Sequence, residues 1–368
     1  MRITAKREDF LGALYWTQST VERRNTMPIL ANVLIDAAAG SIRLTATDLE
    51  VGVRARLEGD VAEEGKVTVN AKKLYEIVRE LSEATLQLTG LENNWVEVKS
   101  GKTVFKIVGL EPREFPAFAE NEDHALCECP ASVLKDMIDK TIFSISSDET
   151  RSNLNGAFCQ EMGDGKVRMV TTDGHRLSLV ERNIGNLGLI KGVIIPRKGL
   201  VELKRLVDDT EDGNVSIGFA NNMAFVVKGN VELFMRLLEG EFPDYSKVIP
   251  EDSTLQAKVD QGGLLKALRR VSLLSSDRYR GIKLELKEDQ LAISANNPDL
   301  GEAIEEVEVE YKGQALAIGY NARYLLDVLG VLGQEDSVDL QFKDEQSPTV
   351  MRKEGDDSFL YVVMPMRL

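Results

Sequence analysis

Thr171-Thr172-Asp173-Gly174-His175-Arg176-Leu177 lies near the middle of the 368-residue chain, between the alternating runs Lys166–Val170 and Ser178–Glu181. An Asp-Gly pair between two runs of period two predicts a tight hairpin, because glycine takes positive φ without a Cβ clash. A related turn stands at Thr47-Asp48-Leu49-Glu50 and a third at Ala295-Asn296-Asn297-Pro298. The turn residues Asp48, Asp173 and Asn297 fall 125 and 124 residues apart. Leu74, Leu200 and Tyr324, each in an amphipathic stretch, keep nearly the same intervals, 126 and 124. Two independent landmarks in register mark an internal repeat, and the repeat decides the architecture before any single element does.

Each copy follows one plan. The spacing predicts helices over Glu8–Val21 and Ala71–Leu81 in the first third, after Pro130 and after Pro196 in the second, and over Leu264–Leu274 and after Asn321 in the last. Apolar residues recur at helical intervals, as in Leu74, Ile77, Val78 and Leu81, and Asn70 and Asn321 are good N-caps. Alternating runs supply about eight strands per copy. The fold class is therefore α+β, with three similar domains, residues 1–122, 123–250 and 251–368, each carrying two helices on one side of antiparallel sheets. Two helices cannot cover both faces of so much sheet, so sheet is left exposed or continues into the next domain. A row of such domains leaves an unpaired strand edge at each end. A head-to-tail contact between two chains satisfies both edges, closing a ring if the rotation allows and a filament if not.

Hydrophobic residues make up 43% and charged residues 29% of the sequence, a globular composition at a length that suits two or three domains. A formal net charge of −15 and a pI near 4.9 argue against a surface that coats nucleic acid throughout, and leave room for a local basic patch. The N-terminus lacks the apolar core of a signal peptide, and the apolar stretch Leu187–Ile195 is too short for a membrane span and carries Lys191. A soluble, cytoplasmic protein without membrane association is expected. Cys127, Cys129 and Cys159 form an odd set without metal-ligand spacing, as buried free thiols in a reducing compartment do. With two histidines, His124 and His175, and neither a phosphate loop nor a paired Cys-x-x-Cys, the sequence predicts no cofactor and no metal site. A hydrolase would have to combine His175 with Asp173 and lacks a Gly-x-Ser-x-Gly elbow, so no enzyme is expected.

Basic residues instead gather on or beside the predicted helices, among them Arg23, Arg24, Lys72, Lys73, Lys135, Arg197, Lys198, Arg205, Arg269 and Arg323. If the helices face one side of a ring, these cations line its bore, where they suit a phosphate backbone and read no bases. The closing run Tyr361–Leu368 stays mostly apolar to its last residue, which predicts a buried strand or the border of an adaptable, Met-rich groove.

The threefold plan, Thr-Asp-Gly-His-Arg-Leu in the middle copy, Asn153-Leu154-Asn155-Gly156 before it, Glu241-Phe242-Pro243-Asp244-Tyr245, Ala295-Asn296-Asn297-Pro298 and the closing Val-Val-Met-Pro-Met-Arg-Leu together resemble, over the whole chain, the β subunits of bacterial DNA polymerase III, the sliding clamps. The resemblance implies domains of the DNA-clamp type in a head-to-tail homodimeric ring of six. It implies a DNA polymerase processivity factor that encircles double-stranded DNA and performs no reaction of its own. The implied partners are the replicative polymerase α subunit, a separate ATP-dependent clamp loader, and other polymerases and repair proteins. Such partners dock short peptides, typically a Gln followed by leucines and an aromatic, in a groove between the middle and last domains. Carried over position by position, that groove comprises Leu154, Thr172, Gly174, His175, Arg176, Leu177, Pro243, Lys247, Val248, Asn321, Tyr324, Val350, Val362, Val363, Met364, Pro365, Met366 and Arg367. The DNA-facing positions are Arg24, Lys72, Lys73, Ser152, Asn153, Arg197 and Lys198.

Overall fold

The structure, a computed structural model, describes residues 1–21, 27–38, 40–117, 126–189, 191–208, 213–250, 252–276, 279–333 and 336–367. Six α-helices stand among them: α1 (Arg7–Thr20), α2 (Ala71–Glu80), α3 (Ala131–Asp139), α4 (Arg197–Asp208), α5 (Gln261–Val271) and α6 (Ala322–Leu329). That is the two per third that the repeat requires. Their starts follow from the sequence. Asn70, Asp260 and Asn321 accept the amides of Lys73, Gly263 and Arg323 at 2.9, 2.6 and 3.0 Å, satisfying donors that a helix N-terminus otherwise leaves unpaired. The apolar faces are buried as the spacing dictates, through Leu74, Ile77 and Val78 in α2 and Leu200, Leu203, Leu206 and Val207 in α4. Gly199 is fixed by close approach, since a Cβ there would meet Met235 Sδ at 2.6 Å. The fifth helix differs from its expected span: it starts at Gln261 under the Asp260 cap and passes at Ser272–Leu274 into a 3-10 turn.

The chain forms two compact units, Met1–Ser132 with Lys198–Leu237, and Val133–Arg197 with Leu238–Leu368. They cut across the middle third, and strand pairing is the reason. In the first unit, a 13-stranded sheet contains the antiparallel junction of Val51–Glu58 with Val231–Arg236, in the register Val51↔Met235 and Gly52↔Phe234. In the second, a nine-stranded sheet contains the junction of Arg176–Asn183 with Phe359–Val363, in the register Arg176↔Val363 and Leu177↔Val362. The sheets of one third thus continue into the next, and each unit is centred on such a junction. In the first unit α1 packs on the strands Ser41–Thr47 and Val51–Glu58 and against α2. In the second, α5 packs against α6 and on a further four-stranded sheet of Gly301–Glu308, Gln290–Asn297, Gly281–Lys287 and Leu316–Asn321.

Candidate functional site

The hairpin at Thr171–Leu177 forms as read. Lys166–Thr172 pairs with Arg176–Asn183, and Gly174 takes φ 90°. Asp173 Oδ1 accepts the amides of His175 and Arg176 at 2.9 and 3.1 Å, and the Thr172 hydroxyl accepts the Gly174 amide and donates to the Arg176 carbonyl. The first copy is built alike. Asp48 accepts from Glu50 and Val51, Thr47 accepts the Leu49 amide and donates to Val51, and Leu49 occupies the glycine position with φ 81°. The third copy departs from the repeat: Asn297 pairs directly with Gly301, closing a shorter loop in which Asn297 Oδ1 accepts the Asp299 amide. The turn acid Asp173 is therefore spent on backbone amides and on Arg176 Nε, 3.1 Å away, and the His175–Asp173 pairing that a hydrolase would need is replaced by turn architecture.

What the second unit builds beside this turn is an apolar hollow. The pleat sends Leu177 and Leu179 to one face, and the junction register places Val362 and Leu360 opposite them. With Val170 and Val350 these form one buried cluster, and Phe242, Tyr245, Val248 and Ile249 pack against it from the segment after the middle strands. A cavity of about 180 Å³ remains, lined by Leu154, Thr172, Gly174, Arg176, Leu177, Pro243, Asp244, Tyr245, Val248, Val362 and Met364. Small-molecule sites start at roughly 300 Å³, so this is room for side chains rather than for a cofactor. The covering segment is held by the Phe158–Phe242 stack, centroids 5.1 Å apart, and by Arg168 donating to the Tyr245 hydroxyl at 3.0 Å. The Met364 amide donates to the His175 carbonyl at 2.9 Å, which ties the edge of the hollow to the opening turn.

Arg176 is the buried charged group of the wall, 7% exposed, while Asp244 stands exposed at its edge. Its guanidinium meets Asp173 at 3.1 Å and Asp327 of α6 at 2.7 Å, donates to the Phe143 carbonyl and lies 4.4 Å from the centroid of the Tyr324 ring. Burial opposes its charge, but the Tyr361 hydroxyl and the Asp327 and Asp173 carboxylates outweigh that and raise its pKa. A buried charge so fully partnered holds the middle and last thirds together and presents its stem, not a free cation, to the hollow. Tyr361 donates to the Tyr324 carbonyl at 2.9 Å, and burial pushes its own hydroxyl well above the ordinary tyrosine range.

The remaining positions named from the resemblance lie around this hollow or elsewhere. His175 is exposed, its ring 6.5 Å from that of Tyr324 and inclined by 19°. Asn321 caps α6. Lys247 is exposed and paired with Asp244 at 3.1 Å. Val350 and Val363 are buried outside the cavity lining, and Met366 and Arg367 line a separate cavity of about 630 Å³ on the four-stranded sheet, with Pro365 between the two. Tyr245 and Asp244 complete the apolar cavity and were absent from the expected set. Their signal was the Glu-Phe-Pro-Asp-Tyr run itself, whose aromatic residues have no use on an open surface.

Of the positions expected at DNA, Arg24 lies outside the described residues. Lys73 pairs with Glu76, Lys198 with the turn acid Asp48, and Asn153 donates to the Glu241 carbonyl at 2.9 Å. Ser152 and Arg197 are exposed and Lys72 is half-buried. Cys129 and Cys159 are buried thiols, pushed up by burial to about 11 and about 12. Among the described residues no group of acids, histidines and cysteines is placed to hold a metal, and no helix is long and apolar enough to cross a membrane.

The first unit carries a cavity of about 700 Å³ on the corresponding face, but its lining includes Asp36, Arg43, Arg54, Lys66 and Glu111 and is charged where the second unit's hollow is apolar. Where the second unit has Leu177 and Leu179 across from Val362 and Leu360, the first has Gly52 and Arg54 across from Phe234 and Glu232. Arg54 pairs with Glu232 at 3.2 Å and lies 5.4 Å from the Phe234 ring centroid. The same junction thus carries an ion pair and a ring beside a charged cavity of about 700 Å³ in one unit and an apolar hollow in the other.

Comparison with known proteins agrees with the threefold reading. Residues 1–119, 128–244 and 246–367 match the N-terminal, central and C-terminal domains of the DNA polymerase III beta subunit family. The beta sliding clamp of Pseudomonas putida is 38% identical over 375 residues and that of Escherichia coli K12 37% over 372, each comparison covering 100% of both chains. The crystal structure of a sliding clamp from Bartonella birtlesii bound to griselimycin superposes with a TM-score of 0.95 at 37% identity, again covering 100% of both chains.

Proposed function

Because the chain belongs to the DNA polymerase III β-subunit family, the non-catalytic sliding clamps, we propose that it closes as a head-to-tail homodimer around double-stranded DNA and tethers partners through the apolar hollow of its second compact unit. The three clamp domains are residues 1–122, 123–250 and 251–368. The observation that carries the reading is the hollow itself, a side-chain-sized apolar cavity walled by the middle hairpin and completed by the strand Phe359–Val363 and Met364. Each leucine or aromatic anchor that a partner peptide buries there contributes ~1.5–3 kcal/mol, of which ordering the peptide consumes a part. Moderate affinity and exchange among partners follow. The occupants are peptides of the replicative polymerase α subunit, of the ATP-dependent clamp loader, and of other polymerases and repair proteins, at work in the cytoplasm.

Two strand edges support the dimer. Gly301–Glu308 closes the four-stranded sheet, with no strand beyond it among the described residues, and Ile304 is 70% exposed there, near exposed Leu273 and Leu300. In the first unit, Thr103–Leu110 pairs from Thr103 to Val108 on one side but on the other only through Gly109 and Leu110, leaving Val104, Phe105 and Val108 exposed. Two copies pairing one edge with the other cover both. Arg24, Lys72, Lys73, Ser152, Asn153, Arg197 and Lys198 face the DNA in this reading, and a handful of phosphate contacts gives a shallow dependence of affinity on salt. The test is loading onto nicked circular plasmid followed by linearisation. A topological clamp is retained on the circle and released from the cut molecule; a protein that stays on the linear DNA binds its surface and ends the ring reading.

A further inference from the structure

We propose that the cavity on the four-stranded sheet of the second unit extends the partner site and receives acidic residues flanking the apolar core of a partner peptide; the inference rests on the groove reading above. In a chain of net charge −15, the charged side chains lining this cavity among the described residues are the cations Lys283 and Arg367. Glu285 pairs with Lys283 at 2.9 Å from outside the lining. Ser276, Ser294 and Asn296 add hydroxyl and amide donors suited to carboxylate oxygens. At about 630 Å³ the cavity has room for several residues of an extended chain.

The second argument is continuity. Met364 lines the apolar hollow and Met366 lines this cavity. The segment between them is held at both ends, by the Met364 amide on the His175 carbonyl at 2.9 Å and the Met366 amide on the Gly319 carbonyl at 2.8 Å. Two residues of extended chain span roughly 7 Å. A peptide anchored in the hollow therefore reaches Lys283 and Arg367 a few residues beyond its anchor. Two cations in a lining that includes Tyr279 would also suit a single-stranded phosphodiester, but the short segment Met364–Met366 that links this cavity to the apolar hollow favours the peptide.

The test is titration calorimetry on the full-length protein with the peptide Gln-Leu-Ala-Leu-Phe, flanked at either end by three alanines or by three glutamates. The expected result is equal affinity of wild type and Lys283→Ala for the alanine-flanked peptides. A glutamate flank at one end should tighten binding to wild type about two- to fourfold, the worth of one part-exposed ion pair. That gain should vanish in Lys283→Ala and at high salt, and Lys283→Glu should turn it into a loss. Glutamate flanks that give no gain at either end, or a gain that survives Lys283→Ala, overturn the proposal. So does a thymidine oligonucleotide whose binding weakens in Lys283→Ala while the flanks make no difference, which assigns the cavity to nucleic acid. Failure of the alanine-flanked peptides to bind at all is a separate outcome, which removes the groove and the extension together.

Discussion

Gly174 and Leu49 hold equivalent places in two copies of one turn, with φ of 90° and 81°. The left-handed region costs an L-residue roughly 1–2 kcal/mol and glycine almost nothing, while glycine loses more backbone entropy on folding, roughly 0.5–1 kcal/mol. Leu49 is exposed, so its side chain returns little packing. Leu49→Gly should therefore raise stability by up to about 1 kcal/mol, and Gly174→Ala should lower it by about 1 kcal/mol or more, since its Cβ also meets Arg151 Nη1 at 3.0 Å. Urea unfolding of both variants checks the opposite signs. At the same scale, Met364 is the flexible rim of the hollow. Met364→Ala removes part of its apolar wall and should weaken a Gln-Leu-Ala-Leu-Phe peptide about tenfold or more, with the sedimentation coefficient unchanged; unaltered affinity by calorimetry would separate the methionine from the site.

At the scale of elements, α3 is tied to the last third by a charge cluster within the second unit. Arg182 reaches Asp136 at 2.7 Å and Asp356 at 3.6 Å, and Lys140 reaches the same two carboxylates at 3.0 and 3.7 Å. Burial acts to raise the Asp356 carboxyl, but hydrogen bonds from Ser358 and the charges of Arg182 and Lys140 outweigh it and hold the pKa below the ordinary carboxylate value. A carboxyl held low in the folded state binds its proton more readily when unfolded. Its contribution is therefore complete above the ordinary pKa of about 3.9 and is lost as pH falls through the lower folded value. Asp356→Asn should be less stable than wild type at neutral pH, and the gap should close below about pH 4 in denaturant titrations at stepped pH. Elements were also the most legible level. Apolar spacing and the amide caps Asn70 and Asn321 announced α2 and α6, and the Asp-Gly pair announced the central hairpin. The Asp260 cap was less visible because Gln261-Gly262-Gly263 reads as a loop by propensity, and the buried face of Leu264, Leu265 and Leu268 overrides it. The third turn kept its spacing and changed its pairing, a difference of register that sequence periodicity does not carry.

For the whole molecule, the repeat left two outcomes, sheet exposed or sheet continued into the next third; the second holds at both junctions, and what escaped the sequence was which residues each junction sets opposite one another. Leu177 with Val362 walls an apolar hollow and Arg54 with Glu232 sets an ion pair beside a charged cavity, although both pairs lie a third of the chain or more apart and neither strand shows its partner. The same incompleteness applies to the free edges Thr103–Leu110 and Gly301–Glu308, whose exposed Val108 and Ile304 show that each needs a covering and do not by themselves show the partner. A head-to-tail dimer makes a sharp prediction. Val108→Glu or Ile304→Lys alone alters both of its junctions, because every junction uses one edge from each copy, and each variant should sediment as a monomer. Mixed in equal amounts, the two variants should recover the dimer. In that heterodimer the Glu and the Lys fall on opposite strands of one junction, and the other junction joins an unaltered Val108 edge to an unaltered Ile304 edge. A contact between like edges gives a different pattern, in which one of the two variants stays dimeric alone and mixing rescues nothing. Sedimentation velocity of each variant and of the mixture distinguishes the two, and a mixture that remains monomeric would dissolve the ring from which the encirclement of DNA is argued.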